Sequence, residues 1–357
     1  IDGDVAPSRS VHPDLDPFWD QVISTCVRRE KADRFATADE LRRILREGEE
    51  VLGNVEEKDA PPEVRAIREV NAGAYAFDGF LFQALKEVRN ENAARAYYLP
   101  ALVAIYRAHG RRVLAVRGVA EEALGVNTRE ELARVEGVLL RRLRAEWMGK
   151  GVRMILPETI YLEPSVELAP DVTLWPGAVL KGKTRIGEGC EVGPYAVLED
   201  TVLEPGAKVL AHTVAQGAHL HPGASAGPFA RLRPGAVLME EVHVGNFVEV
   251  KNSLLHKGVK AGHLAYLGDA EVGEGTNIGA GVITANYDGK RKHKTEIGKK
   301  AFIGSNSVLV APVRVGDRAL VGAGSVITQD VPEGALAVAR ERQKNLEGYA
   351  LRKLGEG

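Results

Sequence analysis

The fold is decided by the stretch YLEPSVELAPDVTLWPGAVLKGKTRIGEGCEV, which runs from Tyr161 to Val192. An aliphatic residue recurs at every sixth position of this stretch, and the period returns in two later runs. The three runs are Leu162, Leu168, Leu174, Leu180, Ile186, Val192 and Leu198; Leu220, Ala226, Leu232, Leu238, Val244 and Val250; and Ile297, Ile303, Leu309, Val315, Val321 and Ile327. Six residues form one flat side of a coil and three sides close a triangle, so every sixth residue points inward. The sequence predicts a left-handed parallel β-helix of hexapeptide repeats over residues 152–333.

The period shifts phase near Leu203, Leu255 and Lys290, and we interpret these positions as loops that leave the coil. The third is the basic segment Asn286–Lys294. Its charges are typical of a solvated loop, but lysine and arginine side chains also neutralise and hydrogen-bond phosphate oxygens. The segment is therefore a candidate phosphate clamp.

The residues before the repeats predict a different organisation. Residues 1–53 form a helical segment, and residues 54–128 a partial α/β portion in which 71–77 is a strand and 81–88 a helix. Residues 129–151 form a connecting helix that begins at a capping box of Thr128 and Glu131. Residues 334–357 are a C-terminal tail. The predicted fold class is mainly β.

Composition excludes several classes of function. The 47 basic and 49 acidic side chains leave a net charge of −2, which gives no field for binding nucleic acid. No apolar run approaches the roughly 18 residues of a membrane helix, so no membrane insertion is expected. The two cysteines, Cys26 and Cys190, have no disulfide or metal-ligand pattern and favour a reducing cytoplasm. The chain begins at Ile1 and not at methionine, which suggests a fragment.

Two cations and a histidine fall on neighbouring coils of the predicted β-helix. Arg233 and Lys251 are 18 residues apart and Lys251 and His263 are 12 residues apart, and coils stack about 4.8 Å apart. They are expected to share one surface patch. This combination suits a phosphorylated sugar beside a general base.

The sequence has three other interpretations. The glycine-rich residues 273–281 lack the spacing of a nucleotide-binding loop, and β-helix corners explain their glycines. A zinc hydratase site needs three histidines in tetrahedral geometry. No two of the candidate histidines have the close spacing that usually accompanies such a site; the candidates are His212, His219, His221, His243, His256 and His263. A catalytically silent trimeric scaffold is the third alternative.

Residues 227–340 closely resemble the acetyltransferase half of the bacterial bifunctional family that combines glucosamine-1-phosphate acetyltransferase with N-acetylglucosamine-1-phosphate uridyltransferase. The resemblance rests on the segments Val244–Lys251, Ala261–Asp269, Asn277–Gly281 and Ala285–Gly289. It implies acetyl transfer from acetyl-coenzyme A to the amine of glucosamine-1-phosphate. The product, N-acetylglucosamine-1-phosphate, serves the synthesis of UDP-N-acetylglucosamine and cell-wall precursors.

The resemblance also implies roles for individual residues. His263 is the expected general base, a task for which a neutral imidazole is suited. The sugar phosphate is expected to bind Arg233, Lys251, Tyr266, Asn277 and Lys292. Acetyl-coenzyme A is expected to contact Ala280, Asn286, Tyr287, Ser305, Ala323 and Arg340. In this family the site lies between subunits, so a homotrimer is expected.

Upstream, residues 55–127 resemble the last third of the family's uridyltransferase domain. Glu56 and Asn71 match residues that touch the sugar nucleotide, and Asn127 matches a Mg²⁺ ligand. The family's glycine-rich nucleotide loop and metal-binding aspartate are not among these 357 residues. These three residues are therefore expected to be vestigial, and uridyl transfer, the only step that would use Mg²⁺, is expected to be lost by truncation.

The segment Asp14–Leu45 resembles the end of a serine/threonine protein kinase domain. None of the catalytic motifs of a kinase is present, so no kinase activity is expected. The join near Gly53 suggests a truncated or recombined reading frame.

Overall fold

The computed structural model describes residues 49–51, 62, 71–91, 95–115 and 118–355. The chain divides into two compact units, Ile1–Val135 and Glu136–Gly357. The kinase-like stretch, Glu56 and most of the predicted helical segment lie outside the described residues. Within that segment, Glu49–Glu50 is a β-strand, so the prediction of helix up to residue 53 is wrong at its end. The strand pairs antiparallel with Leu114–Ala115, which supplies the backbone hydrogen bonds that a helix would have made internally.

Residues 153–337, all of which the structure describes, form a three-sided parallel β-helix with one sheet on each side. Face 1 contains the eleven strands Arg153–Met154, Thr173–Leu174, Glu191–Val192, Lys208–Val209, Ser225–Ala226, His243–Asn246, Lys260–His263, Asn277–Ile278, Phe302–Ile303, Leu320–Val321 and Leu336–Ala337. Face 2 contains the ten strands Tyr161–Leu162, Val179–Lys181, Val197–Glu199, Val214–Gln216, Arg231–Leu232, Glu249–Lys251, Tyr266–Gly268, Ile283–Ala285, Val308–Val310 and Val326–Ile327. Face 3 contains the nine strands Glu167–Leu168, Arg185–Ile186, Val202–Leu203, His219–Leu220, Ala236–Leu238, Ser253–Leu255, Ala270–Val272, Thr295–Ile297 and Val313–Val315.

The residues of the six-residue period form the core of this β-helix. Each pairs in register with its equivalent one coil away, as Leu180 does with Leu198, and both of these side chains are fully buried. The stack is a continuous apolar column, and its burial is the main stabilising term of such a fold. The predicted left-handed parallel β-helix is confirmed.

Two of the three predicted loops do not leave the coil. Leu203 and Leu255 are buried strand residues, and they lie five residues after the preceding inward residue instead of six. Leu238 pairs directly with Leu255, so this coil has 17 residues where the coil from Leu180 to Leu198 has 18. A shortened side preserves the inward orientation of the aliphatic residue, which the sequence period alone does not distinguish from a loop. Only the segment 286–294 protrudes.

A helix, Arg129–Gly149, precedes the first coil. Its start is the predicted capping box: the Glu131 backbone N–H donates to Thr128 Oγ1 (3.1 Å), and the Thr128 N–H donates to Glu131 Oε2 (2.9 Å). Near its end, Trp147 packs against the apolar column, and Arg144 Nε donates to the carbonyl of Ile160 (2.8 Å). The helix thereby covers the open end of the stack, where a solenoid needs a cap.

The first unit has a small core around the helices Leu81–Ala84 and Ala101–Ala108, with 3-10 turns at Leu85–Glu87 and Ala120–Ala123. Residues 71–77 form no strand, contrary to the prediction. The β-helix unit also has a 3-10 turn at Pro157–Thr159 and ends in the helix Tyr349–Leu354. Across the described ranges, no helix combines the length and apolar character needed to cross a membrane.

Candidate active site

His263 ends its strand on face 1, at the corner where the chain turns onto face 2. Its register partner one coil below is Asn246, and His263 Nδ1 lies 2.8 Å from Asn246 Oδ1. Because an amide oxygen only accepts, Nδ1 donates the proton and Nε2 keeps its lone pair. Within residues 118–355, no hydrogen bond engages Nε2, and the side chain is exposed. The imidazole is thus held in the tautomer that can accept a proton.

The predicted acetyl-coenzyme A residues of the coils form a column that rises from His263 along this corner. The Gly281 N–H donates to the carbonyl of Leu264, and one coil higher the Asn306 N–H donates to the carbonyl of Ala280 (2.7 Å). A further coil up, the Gly324 N–H donates to the carbonyl of Ser305 (2.8 Å). The column therefore follows the order of the coils, with small residues at each level.

The top of the column is closed by Arg340. Its Nη1 donates to the carbonyl of Ala323 (2.8 Å), while its guanidinium remains exposed. Close packing sustains the column: a Cβ added to Gly304 would lie 2.5 Å from the backbone nitrogen of Ala323. The corner is therefore a narrow ledge with a cation at its far end.

A second cluster lies at the opposite edge of face 2, where Arg233 and Lys251 follow the core positions of successive coils. Arg233 Nη1 pairs with Glu249 Oε1 at 2.8 Å. The pKa of Lys251 lies below its ordinary value, first because its side chain contacts Lys292 and then because of the charges of Arg233 and Lys292. Three cations converge here, and an anion is what would relieve their repulsion.

The basic loop that carries Lys292 is ordered by a short turn. Tyr287 and Lys292 form an antiparallel bridge, and between them Asp288 Oδ1 accepts the backbone N–H groups of Lys290 and Arg291 (2.7 Å each). Asp288 Oδ2 also contacts His293 Nε2 (2.8 Å). These bonds, led by that from Arg291, lower the pKa of Asp288 to about 2. The loop is held so that Lys292 returns toward the cation cluster.

The base of the loop is fixed by Asp269. Its carboxylate accepts the side-chain amides of Asn252 and Asn286, and its carbonyl accepts the N–H of Thr295 (3.1 Å). Asn286 is 8% exposed, so its side chain serves this anchor, whereas Tyr287 beside it is 62% exposed. Of these two predicted cofactor residues, only Tyr287 exposes its ring to a ligand, while its hydroxyl donates to the carbonyl of Gly289 (2.7 Å).

The structure does not join all the predicted substrate residues into one patch. Strand Tyr266–Gly268 runs across face 2 between the corner of His263 and the edge of the cations, and three extended residues span about 10 Å. Tyr266 lies between them, with its ring over Gly268, where an added Cβ would be 2.4 Å from the hydroxyl. Asn277 lies on face 1, beside Lys260. The expectation of one shared patch on a single chain is therefore wrong, because the cations and the histidine occupy different edges of the prism.

The two described residues predicted to be vestigial make local contacts within the described part of the chain. Asn71 Oδ1 accepts the N–H of Gly73 (2.9 Å), and its amide contacts the hydroxyl of Tyr75. The backbone N–H of Asn127 donates to Glu131 Oε2 (2.6 Å) at the start of the connecting helix.

Sequence reasoning missed three residues that shape the site: Asn246, Asp269 and Asp288. Asn246 precedes His263 by 17 residues, which is one coil, so the coil length would have identified it. The other two position the basic loop, and no spacing in the sequence indicates which acidic residue does so.

Comparison with known proteins gives the class and the family of this chain. The family model described as "Bacterial transferase hexapeptide (six repeats)" matches residues 294–329, and with the β-helix it defines the class as hexapeptide-repeat transferases. The chain is 99% identical over 315 residues to the bifunctional protein GlmU of Thermus thermophilus, a match that covers 88% of this chain and 70% of that protein. It is 52% identical over 303 residues to the bifunctional protein GlmU of Anaeromyxobacter sp., covering 85% and 62%. The chain belongs to the GlmU family.

Among solved structures, the chain is similar at a lower level to the UDP-N-acetylglucosamine acyltransferase from Campylobacter jejuni. It is 15% identical, with a TM-score of 0.38, and the match covers 56% of this chain and 77% of that one. A similarity of this size adds nothing to the family assignment.

Proposed function

We propose that this chain transfers the acetyl group of acetyl-coenzyme A to the amine of glucosamine-1-phosphate, with His263 as the general base. The observation that carries the proposal is the contact between His263 Nδ1 and Asn246 Oδ1, which leaves Nε2 free at the foot of the column of small residues. Membership of the GlmU family and the hexapeptide fold support the same activity.

The proposed reaction is a proton transfer coupled to acyl transfer. The amine nitrogen attacks the thioester carbonyl carbon, and His263 Nε2 takes a proton from that nitrogen as the new C–N bond forms. The tetrahedral intermediate then breaks its C–S bond, and the imidazolium returns the proton to the departing thiolate. The products are the N-acetylated sugar phosphate and coenzyme A. Asn246 acts as a positioning residue because it fixes which ring nitrogen carries the proton.

The cations are assigned to the phosphate of the acceptor. Arg233, Lys251 and Lys292 present charge-assisted donors, and a phosphate would offset the repulsion that lowers the pKa of Lys251. Tyr266 and Asn277 are proposed to orient the sugar ring. Since Arg233 also pairs with Glu249, its remaining guanidinium nitrogens are the ones left for the ligand.

The ledge is assigned to acetyl-coenzyme A. Ala280, Ser305 and Ala323 leave room for a long, thin ligand, and Arg340 is placed to pair with one of its phosphates. Asn286 is proposed to act through the shape of the loop, and Tyr287 through direct contact.

A homotrimer with shared sites follows from the acceptor's chemistry. The amine and the phosphate of glucosamine-1-phosphate are on adjacent ring carbons, whereas the cations and His263 of one chain lie at opposite edges of face 2. A neighbouring copy packed around a threefold axis can bring its cation edge to the corner of His263. That corner also carries an exposed apolar ladder, in which Phe229 and Phe247 stack at 5.6 Å. Exposed apolar patches of this kind mark protein interfaces.

Shared sites are tested by complementation. His263→Ala chains refolded together with Lys292→Ala chains should regain part of the activity at a glucosamine-1-phosphate concentration too low for either variant alone, because some interfaces then combine one intact His263 with one intact Lys292. A trimer by light scattering without recovery would place each site within one chain, and a fully active monomer would exclude the trimer.

The cysteine usage supports a cytoplasmic location for the chain. Uridyl transfer is not proposed for the 357-residue chain. Mg²⁺ is proposed only for the uridyltransferase half of the family. The expected result is no pyrophosphate release from UTP and N-acetylglucosamine-1-phosphate, with or without Mg²⁺. Steady pyrophosphate release by the purified chain would contradict it.

The activity is tested by thiol release. Purified chain with both substrates should release coenzyme A above a blank that lacks glucosamine-1-phosphate. His243→Ala is a matched control, since His243 is an exposed histidine on the same face whose Nδ1 contacts Ser225 Oγ (3.0 Å), and it should leave the rate unchanged. No release by the unmodified chain would favour the silent scaffold.

A further inference from the structure

A cluster of two histidines and one carboxylate lies on face 3, apart from the residues assigned to acetyl transfer. His219 is in the strand His219–Leu220 and His221 follows it, while Glu204 follows the strand one coil below. Glu204 Oε1 lies 2.7 Å from His219 Nε2, and Glu204 Oε2 lies 3.3 Å from His221 Nδ1. The two imidazole rings stack with their centroids 4.3 Å apart.

The backbone places these three side chains together for a simple reason. Alternate residues of a strand point to the same side, so both imidazoles project outward from face 3. The coil spacing of about 4.8 Å brings the carboxylate below them within reach. One ligand atom from each residue lies within 4.8 Å of the other two. Zinc–ligand bonds of about 2.0–2.1 Å would set ligand atoms about 3.3 Å apart in a tetrahedron, so small side-chain rotations suffice.

We propose that Glu204, His219 and His221 bind one divalent transition-metal ion, with Zn²⁺ as the representative ion. Two imidazoles and a carboxylate are a ligand set that zinc accepts with a fourth position left for water. Mg²⁺ is disfavoured, because it prefers an all-oxygen octahedral shell. The strands that carry the ligands belong to face 3, whereas His263 ends a strand of face 1. The site is therefore independent of the proposed acetyl transfer.

A neighbouring pair on the same face shows what distinguishes this cluster. His256 Nε2 lies 3.0 Å from Glu271 Oε1, but the other oxygen of Glu271 is paired with Lys294 Nζ (2.6 Å). There the carboxylate charge is already balanced by a cation, and no second imidazole is within reach among the described residues. At Glu204, both oxygens face imidazole nitrogens, which are themselves zinc ligands. Among the residues that the structure describes, only the Glu204 cluster brings together three histidine, cysteine or acidic side chains that could hold one ion.

Metal binding here would join two adjacent coils. An ion that binds the folded chain and not the unfolded chain raises the melting temperature in proportion to the logarithm of its free concentration. The consequence is a metal-dependent increase in stability, which can be measured without any catalytic assay.

The test is zinc titration of the full-length, tag-free chain by calorimetry, with the Co²⁺ absorption spectrum as a report on geometry. The unmodified chain should bind one Zn²⁺ in the micromolar range or more tightly. His221→Ala should lose at least about 100-fold in affinity, since even changes outside the ligand shell cost 10–100-fold. Glu204→Gln should lose at least about tenfold, because it keeps the shape of the side chain but removes its charge. His256→Ala is the matched control and should bind like the unmodified chain.

The same variants are compared by melting temperature with and without Zn²⁺, and circular dichroism confirms that they fold. The proposal stands if zinc raises the melting temperature of the unmodified chain and of His256→Ala but not of His221→Ala. It is overturned if the unmodified chain shows no stoichiometric binding, or if His221→Ala and Glu204→Gln bind zinc as tightly as it does.

Discussion

Gly245 offers the sharpest test of how the coil positions the proposed base. It precedes Asn246 and lies directly against the coil that carries His263: an added Cβ would be 1.9 Å from the carbonyl oxygen of Gly262 and 2.6 Å from its carbonyl carbon. Ordinary contact begins at 3.4 Å, and the obstructing atoms are backbone. Gly245→Ala must therefore push two coils apart beside the pair of Asn246 and His263.

The expected cost follows from these distances. Overpacking of this kind costs about 1–3 kcal/mol, which lowers the melting temperature by roughly 2–12 °C at 2–4 °C per kcal/mol. A displacement of the base by about 1 Å lowers the rate by about 10²-fold. Gly262→Ala is the matched control, because an added Cβ there meets nothing within 4 Å.

Both glycine variants are assayed by thermal unfolding and by the rate of thiol release. We expect a lower melting temperature and a lower rate for Gly245→Ala, and a melting temperature within about 2 °C of the unmodified chain for Gly262→Ala. Equal melting temperatures for all three proteins would refute the reasoning. So would a loss of stability in Gly262→Ala as large as in Gly245→Ala.

The basic loop supports two further predictions. Lys292→Ala should raise the pKa of Lys251, because it removes the largest cause of the lowered pKa. It should also raise KM for glucosamine-1-phosphate at least about tenfold, because a charge-assisted hydrogen bond is lost. Lys290→Ala in the same loop is the control, and an unchanged KM in Lys292→Ala would remove Lys292 from the phosphate site. Asp288 has a depressed pKa, so its stabilising contribution to the loop is fully present above its ordinary value of 3.8 and is lost as the pH falls through about 2. Amide exchange in the loop of the unmodified chain should become faster as the pH falls over that window. Asp288→Ala should show fast exchange at every pH. Slow exchange in Asp288→Ala near neutral pH would show that the turn does not depend on the carboxylate.

The periodicity of the sequence predicts the fold well, because the burial of every sixth side chain determines both the periodicity and the fold. An inward residue every six positions is a direct record of the triangular coil, and the capping box at Thr128 records the start of the connecting helix in the same local way. The shortened sides at Leu203 and Leu255 were misread because a missing residue and an inserted loop shift the phase alike. Residues 71–77 were misread because a strand exists only with a partner, and partners are not encoded locally.

The sequence predicts candidate residues for the site but not how they are arranged. The coil spacing relates Arg233 to Lys251, and the structure brings these two together with Lys292. The corner that separates His263 from them depends on where each side of the triangle ends, and the sequence period leaves that undetermined. The sequence does not predict the proposed metal site for a related reason. A search for histidines alone omits Glu204, which reaches His219 and His221 from the coil below.

The measurement that tests the central proposal most directly is the single-turnover rate of thiol release by the unmodified chain, His263→Ala and His243→Ala, with coenzyme A binding measured in parallel. We expect release that requires glucosamine-1-phosphate, a rate about 10²–10⁴-fold lower in His263→Ala, an unchanged rate in His243→Ala, and coenzyme A binding retained in all three. A His263→Ala chain that turns over within a few-fold of the unmodified chain would contradict the assignment of His263 as the base.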